Sequence, residues 1–264
     1  LASGYVPASG RWSISFAKKG YKGQHLLIQY RAGGYFVLPQ DRDNNEYWWS
    51  DPQQSDIPTD FDIGHRVANT SSSGTVAGLG DVYQGAMLYW NKFTVNGVNP
   101  ERSDPIRLFF PDTWENCSGS SPWSCASVGG DIWLIPAHIG LYTIQHELAH
   151  QTNNEYWNNQ RPPGAGGAHS LDQCYNTGLA LREGFANAVP HWVLDGENAA
   201  DPNAGGFELE SPSTDDICNG DTNEVWVAGV FWDLLDRHAD DQDRLYFNNA
   251  VEVFSIYLNA GVKN

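Results

Sequence analysis

The amino-acid sequence predicts an α+β fold, with strands in its first half and helices in its second. Residues 11–40 alternate between polar and apolar side chains, a pattern typical of strands. From residue 139 onward, apolar residues recur at helical spacing. The 264 residues contain no internal repeat and no low-complexity segment, so a packed globular core is expected.

The first 62 residues are predicted to form strands followed by an acidic loop. Gly-rich turns separate three strand patterns, over residues 12–16, 26–30 and 35–38. The loop over residues 40–62 contains the run Asp41-Arg42-Asp43-Asn44-Asn45-Glu46, which is rich in calcium-ligand side chains. This run lacks the spacing of an EF-hand, so a solvated loop is the simpler interpretation and calcium binding stays an alternative.

One helix and two strands are predicted in the middle of the chain. Residues 79–93 have the apolar spacing of an amphipathic helix. Residues 106–110 and 131–135 are apolar runs that end at Pro111 and Pro136, as strands often do. The second strand is expected either at the edge of its sheet or inside the core.

Four helices are predicted in the second half, with a loop rich in Asn, Gln, Gly and Pro over residues 158–178. The helices cover residues 139–157, 179–194, 224–237 and 243–260.

Net charge excludes several classes of partner. The chain has 32 Asp and Glu against 15 Lys and Arg, a formal charge of −17. Nucleic acid and anionic membrane surfaces are therefore not expected as partners, and no run of 18 apolar residues could span a bilayer. The negative charge would favour basic or neutral substrates over acidic ones through long-range electrostatics.

Cysteine usage favours a secreted protein. Of the three possible pairings of four cysteines, Cys117–Cys125 and Cys174–Cys218 are expected because they close short and medium loops. Disulfides, few lysines and many acidic residues together predict an extracellular location.

The sequence His146-Glu147-Leu148-Ala149-His150 carries the chemistry. On a helix, positions i and i+4 lie on one face, so both imidazoles can reach one metal ion. Glu147 stays beside that ion, where its carboxylate can take a proton from an attacking water molecule. The pattern therefore predicts a catalytic metal site.

A third ligand is needed, since catalytic zinc generally takes three protein ligands. Tyr156 occupies the position where a metzincin has its third histidine, which excludes that class. Glu183 is the best candidate because it lies in an otherwise apolar helical pattern, where an unpaired carboxylate is costly to bury. An exposed helix residue beside Arg182 is the alternative interpretation of Glu183, and Asp172 is an alternative ligand.

Together these motifs resemble the gluzincin class of zinc metallopeptidases, which includes the thermolysin-like peptidases and the aminopeptidase N family. The segment Arg182-Glu183-Gly184-Phe185-Ala186 is similar to the Asn-Glu-Gly-Phe-Ala motif of the second family. The resemblance implies that His146, His150 and Glu183 are zinc ligands and that Glu147 is the general base.

The same resemblance implies a zincin-like architecture with a cleft between two lobes. A β-rich lobe over residues 1–158 ends in the active-site helix, and a helical lobe over residues 159–264 carries the third ligand. In this class the strand before the active-site helix forms a sheet edge that pairs with substrate, which places residues 131–135 there. Gly184 is expected to let its helix approach the His146–His150 helix.

Two departures make the chain a divergent gluzincin. The 32 residues between His150 and Glu183 exceed the usual spacing, and Asn187 replaces the Asp of a Glu-x-x-x-Asp pattern. Candidates for stabilising the oxyanion are numerous, although a structural role is the simpler interpretation of each: Tyr175, His191, His238 and Tyr246.

The sequence therefore predicts a secreted, monomeric zinc metallopeptidase with one catalytic zinc ion. An open strand edge and the absence of an exopeptidase motif favour an endopeptidase acting on proteins or peptides. The alternative is a zincin that recognises glycans or glycoproteins, either as a glycoprotein-specific protease or as a weakly active binding module.

Overall fold

The structure, a computed structural model, describes the chain in thirteen segments. These are residues 25–26, 29–31, 36–50, 54–55, 78–100, 104–112, 123–171, 173–196, 203–204, 207–209, 218, 220–236 and 250–259. Five α-helices and several small sheets lie in these segments, which confirms the α+β class.

Ten short strands occur in the described segments. They are β1 (His25–Leu26), β2 (Gln29–Arg31), β3 (Val37–Gln40), β4 (Trp48–Ser50), β5 (Gln54–Ser55), β6 (Ile106–Phe109), β7 (Cys125–Ala126), β8 (Asp131–Trp133), β9 (Asn203–Ala204) and β10 (Phe207–Glu208). The main sheet has the order β3-β6-β8-β7. Its first three strands are parallel, and β7 is antiparallel to β8. The remaining strands pair as β1-β5, β2-β4 and β9-β10.

The expectation that residues 131–135 form a sheet edge is wrong. Strand β8 pairs with β6 on one side and with β7 on the other, so β3 and β7 are the edges among the described strands of this sheet. The chain reverses between β7 and β8, where Gly130 adopts a φ of 99° and the Ser127 hydroxyl accepts hydrogen bonds from the backbone N–H groups of Gly129 and Asp131. Strand β7 of this hairpin therefore pairs with the side of β8 that the sequence predicted to be exposed.

The predicted helices are confirmed where the structure describes them. They are α1 (Leu79–Val95), α2 (Leu141–Tyr156), α3 (Thr177–Leu194), α4 (Glu224–Leu235) and α5 (Ala250–Asn259), and a short 3-10 helix, Pro136–His138, precedes α2. The predicted strand over residues 12–16 and the start of the helix predicted from residue 243 lie outside the described residues. No described helix is both long enough and apolar enough to cross a membrane.

Helix α3 is the centre of the helical part and packs against both α2 and α4. Most of its residues are buried, as expected of a helix that is apolar all round. One continuous cluster of buried apolar side chains joins the main sheet to all five helices. The predicted lobe boundary at residues 158 and 159 falls just after α2, and the division into two lobes stays a prediction.

Gly184 in α3 does not face the helix that the sequence suggested. A Cβ atom there would lie 2.6 Å from Cγ1 of Val227 and 3.0 Å from the backbone nitrogen of Ala228, both in α4. Glycine therefore permits the close approach of α3 to α4 rather than to α2. The prediction that Gly184 faces α2 is wrong, because helical spacing shows which residues share a face of a helix but not which element packs against that face.

A disulfide and several hydrogen bonds hold the loop before α3 against the start of α4. Cys174 and Cys218 form the predicted disulfide. Cys125 is also disulfide-bonded, and its predicted partner Cys117 lies outside the described residues. Asn223 caps α4 by accepting hydrogen bonds from the N–H groups of Val225 and Trp226.

Candidate metal centre

Helix α2 carries the His146–His150 motif and is anchored on three sides by buried polar side chains. The amide of Gln151 donates a 2.7 Å hydrogen bond to the carbonyl of Ser127 in the β7–β8 hairpin. Thr152 is hydrogen-bonded to the Tyr89 hydroxyl in α1 at 2.7 Å. Asn153 donates to the Tyr257 hydroxyl in α5. These contacts fix the rotation of α2 and hence the direction in which its histidines point.

His146, His150 and Glu183, which we call the first triad, converge on one point. Nε2 of His150 lies 3.1 Å from Nε2 of His146 and 2.9 Å from Oε2 of Glu183. Nε2 of His146 lies 3.4 Å from the same oxygen. Two ligands bound at about 2.1 Å to a tetrahedral zinc ion are about 3.4 Å apart, so the three atoms have the spacing of a shared metal ion.

The first triad is buried but open on one side. The side chains of His150 and Glu183 are 5% and 3% exposed, whereas that of His146 is 20% exposed. Oε2 of Glu183 and Nδ1 of His150 are buried and have no hydrogen-bond partner among the described residues. Buried polar atoms of this kind are usually satisfied, and a cation bound by the three side chains would satisfy the carboxylate oxygen. The donor set therefore fits zinc, which prefers imidazole nitrogen and carboxylate oxygen.

The electrostatics of the first triad favour an ionised carboxylate beside a positive charge. Burial opposes ionisation of Glu183, but the close contacts with the imidazoles of His150 and His146 outweigh burial and hold the pKa of Glu183 well below the ordinary value. Burial also disfavours the charged form of His146, yet its contact with the Glu183 carboxylate and the nearby charge of Glu147 raise its pKa to about 9. Burial and the adjacent Arg182 lower the pKa of His150 to about 3, so its imidazole is neutral.

Glu147 lies beside the first triad on the same helix and is 5% exposed. Burial raises the pKa of Glu147 to about 7, even though the positive charge of His146 opposes the rise. A carboxylate that titrates near neutral pH can both accept and return a proton under ordinary conditions.

Two further residues, His169 and Glu224, meet Glu183 from other elements. Nε2 of His169 lies 3.4 Å from Oε2 of Glu183 and 3.6 Å from Oε2 of Glu224. His169 comes from the loop before α3, and Glu224 is the first residue of α4. Burial raises the pKa of Glu224 to about 7, against the opposing charge of His169. The sequence interpretation assigned neither residue a role, because neither stands out among its sequence neighbours.

The other sequence candidates have different positions. Asn187 lies one turn after Glu183, and its Nδ2 has no hydrogen-bond partner in the described part of the chain. The hydroxyl of Tyr175 accepts a hydrogen bond from the backbone N–H of Ser170. The ring of Tyr175 packs edge-on against the imidazole of His169. Asp172, His238 and Tyr246 lie outside the described residues.

His191 lies two turns beyond Glu183 on α3 and belongs to a separate network. Its Nδ1 is 2.7 Å from Oδ2 of Asp195, whose other oxygen accepts a 2.6 Å hydrogen bond from the Tyr142 hydroxyl. Tyr142 precedes His146 by one turn of α2, so this network adjoins the first triad along the α2–α3 interface.

Within the described residues, two groups of side chains could hold a metal ion. They are the first triad and the group formed by His169, Glu183 and Glu224. The Asp41 carboxylate instead accepts hydrogen bonds from the backbone N–H groups of Asp43 and Asn45 within its own exposed loop. Calcium binding in that loop stays a prediction.

The fold and the site define an α+β protein with a His-Glu-x-x-His helix and a metal-competent triad at its core. Residues 136–262 match the family model of the mycolysin C-terminal domain. That span contains α2 to α5 and every residue that meets at the candidate metal centre, so it relates this part of the chain to mycolysin. Searches of curated proteins and of solved structures gave no match.

Proposed function

We propose that the chain is a zinc-dependent metallopeptidase of gluzincin type with a zincin-like architecture. In this proposal His146, His150 and Glu183 hold the zinc ion and Glu147 is the general base. The observation that carries it is the convergence of two imidazole nitrogens and one carboxylate oxygen within 2.9–3.4 Å of one another at a buried point. The match of residues 136–262 to the mycolysin C-terminal domain supports it, because this span contains the whole candidate metal centre.

Each residue of the first triad contributes a different property. Glu183 supplies the negative charge that a buried dication requires. His150 is neutral, as an imidazole must be to bind a metal, whereas a metal ion would have to displace the proton of His146, whose pKa is about 9 in the metal-free chain. His146 lies at the exposed side, so the site opens to substrate along this residue. Zinc bound there would polarise the substrate carbonyl and lower the pKa of a water molecule.

Glu147 moves the proton. Its carboxylate accepts a proton from the attacking water and then passes it to the amine that leaves when the peptide bond breaks. Both transfers are possible because burial holds the pKa of Glu147 close to neutral. The side chain therefore serves as base in the first step and as acid in the second.

The substrate is proposed to be an extended peptide. The edge strand β7 belongs to the hairpin against which Gln151 of the active-site helix is hydrogen-bonded. An edge strand can pair with a peptide backbone regardless of side-chain identity, which favours endopeptidase action. Extracellular location, a monomeric state and cleavage of glycosylated substrates remain part of the proposal.

The decisive experiment replaces Glu147 by glutamine. We expect the variant to fold and to retain one equivalent of zinc at the first triad while cleavage falls by about 10²–10⁴-fold, since glutamine cannot accept the proton. Cleavage is measured with a library of peptides and glycoproteins read by mass spectrometry, with and without a chelator. The cleavage sites distinguish endo- from exopeptidase action and reveal any glycan requirement.

Glu155→Gln is the matched control, because Glu155 lies on the same helix but is exposed. It should cleave at the parent rate. His146→Ala should lose the zinc ion of the first triad and, with it, the activity. Parent-like cleavage by Glu147→Gln, or undiminished activity after complete zinc removal, would contradict the proposed mechanism.

A further inference from the structure

A second group of metal-ligand side chains adjoins the first triad and shares Glu183 with it. We call His169, Glu183 and Glu224 the second triad. One ligand atom from each of the three lies within 4.8 Å of the others. The two measured edges are 3.4 Å, from His169 to Glu183, and 3.6 Å, from His169 to Glu224. These edges are similar to those of the first triad.

The buried carboxylate of Glu224 lacks hydrogen bonds within the described part of the chain that would stabilise its negative charge. Glu224 is only 1% exposed, and neither of its carboxylate oxygens has a hydrogen-bond donor among the described residues. Burying a carboxylate that accepts no hydrogen bond is unfavourable unless a cation or a proton compensates it. The side chain is nonetheless aimed at His169 and Glu183, both of which can bind metal.

The surrounding structure holds the second triad in place. The amide of Asn223 donates hydrogen bonds to the carbonyls of Leu171 and Gln173, at 3.1 and 3.3 Å, and so ties the His169 loop to the start of α4. The backbone N–H of Tyr175 donates a 2.7 Å hydrogen bond to the carbonyl of Thr222. The Cys174–Cys218 disulfide closes the same junction.

Gly184 determines how closely α4, which carries Glu224, packs against α3, which carries Glu183. A larger residue there would push α4, which begins with Glu224, away from the helix that carries Glu183. A site whose ligands come from three elements needs this kind of support to hold its geometry without a metal.

We propose that the second triad binds a second divalent transition-metal ion, with Glu183 as a carboxylate bridge between two ions. One imidazole and two carboxylates form a nitrogen and oxygen donor set that suits zinc. Paired catalytic ions lie about 3.5–4 Å apart, a distance that a shared carboxylate can span. The inference rests on the proposed function only in that Glu183 serves both ions.

The test counts the metal ions bound by the 264-residue chain. The parent chain is stripped with a chelator, titrated with Zn²⁺, and freed of unbound metal by gel filtration before elemental analysis. We expect two equivalents in the parent and one in Glu224→Gln. Because Glu224 is buried, His169→Ala provides a second variant at a partly exposed loop position, and it should also bind one. Circular dichroism checks that each variant is folded.

Titration with Co²⁺ gives an independent readout, because each bound ion adds its own visible absorption. The parent spectrum should develop in two steps, and the second step should be missing from both variants. Glu208→Gln, which changes an exposed glutamate outside both triads, is the matched control and should bind two ions.

Other outcomes overturn the inference in distinguishable ways. One equivalent in the parent, lost in His146→Ala but kept in His169→Ala, would leave the proposed function intact and remove the second site. If the parent binds one equivalent and both His146→Ala and His169→Ala lose it, a single ion is held jointly by the five residues of the two triads. Two equivalents that persist in His169→Ala and Glu224→Gln would place the second ion elsewhere, and no bound metal would overturn both proposals.

Discussion

Gly184→Ala tests the packing that brings Glu183 and Glu224 together. The added Cβ would lie 2.6 Å from Cγ1 of Val227, whereas carbon atoms in favourable contact are about 3.5–4.0 Å apart. It would also lie 3.0 Å from the backbone nitrogen of Ala228. The Val227 side chain can adjust, but the backbone can move only if α4 shifts as a whole.

Two opposing effects set the magnitude. Alanine in place of glycine inside a helix is favourable by about 1 kcal/mol. Overpacking a well-packed core costs about 1–3 kcal/mol, and a clash with backbone belongs in the upper half of that range. We therefore expect Gly184→Ala to lower the free energy of unfolding by about 1–2 kcal/mol. In a chain of this size the melting temperature should fall by roughly 2–4 °C per kcal/mol.

Urea denaturation of the metal-free protein is the assay, since bound metal would add its own stabilisation. Gly80→Ala in α1 is the control, because no atom lies within 4 Å of its added Cβ. It should leave stability unchanged or raise it by up to about 1 kcal/mol. If Gly184→Ala unfolds at the same or a higher urea concentration than the parent, the close contact between α3 and α4 is wrong.

Two further predictions concern stability. Replacing Cys174 and Cys218 by serine opens a loop with a sequence separation of 44, which should lower the free energy of unfolding by up to about 4 kcal/mol through unfolded-state entropy; an unchanged urea midpoint would contradict this. Burial lowers the pKa of His191, although Asp195 opposes the shift. The unfolded chain therefore binds a proton below pH about 6.5 that the native state does not, and stability should fall between pH 7 and 5. His191→Gln should reduce this fall, and equal pH slopes in the parent and the variant would refute the assignment.

Local patterns in the sequence predicted the helices and the first triad well. The i, i+4 spacing of His146 and His150 places both imidazoles on one face of any α-helix, whatever the helix packs against. Glu183 was identifiable because an acidic residue in an apolar helical pattern needs a compensating partner. Neither prediction required knowledge of distant parts of the chain.

Predictions that depended on a particular neighbour failed. The segment 131–135 contains a strand, Asp131–Trp133, but its predicted edge position was wrong because the β7–β8 hairpin adds a partner. Gly184 was predicted to allow close packing against α2, but it packs against α4, because its own sequence neighbours do not show which helix lies next to it. His169 and Glu224 were overlooked, since each is unremarkable among its own sequence neighbours.

The sequence by itself determined the positions of the helices, favoured the Cys174–Cys218 pairing and identified the side chains of the first triad. Each follows from short-range periodicity, from loop closure or from the cost of burying a charge. Only the tertiary structure decided which elements meet at Glu183, because the contacts between α3, α4 and the loop before α3 depend on packing between residues far apart in the chain. That packing places His169 and Glu224 beside a carboxylate that already completes the first triad.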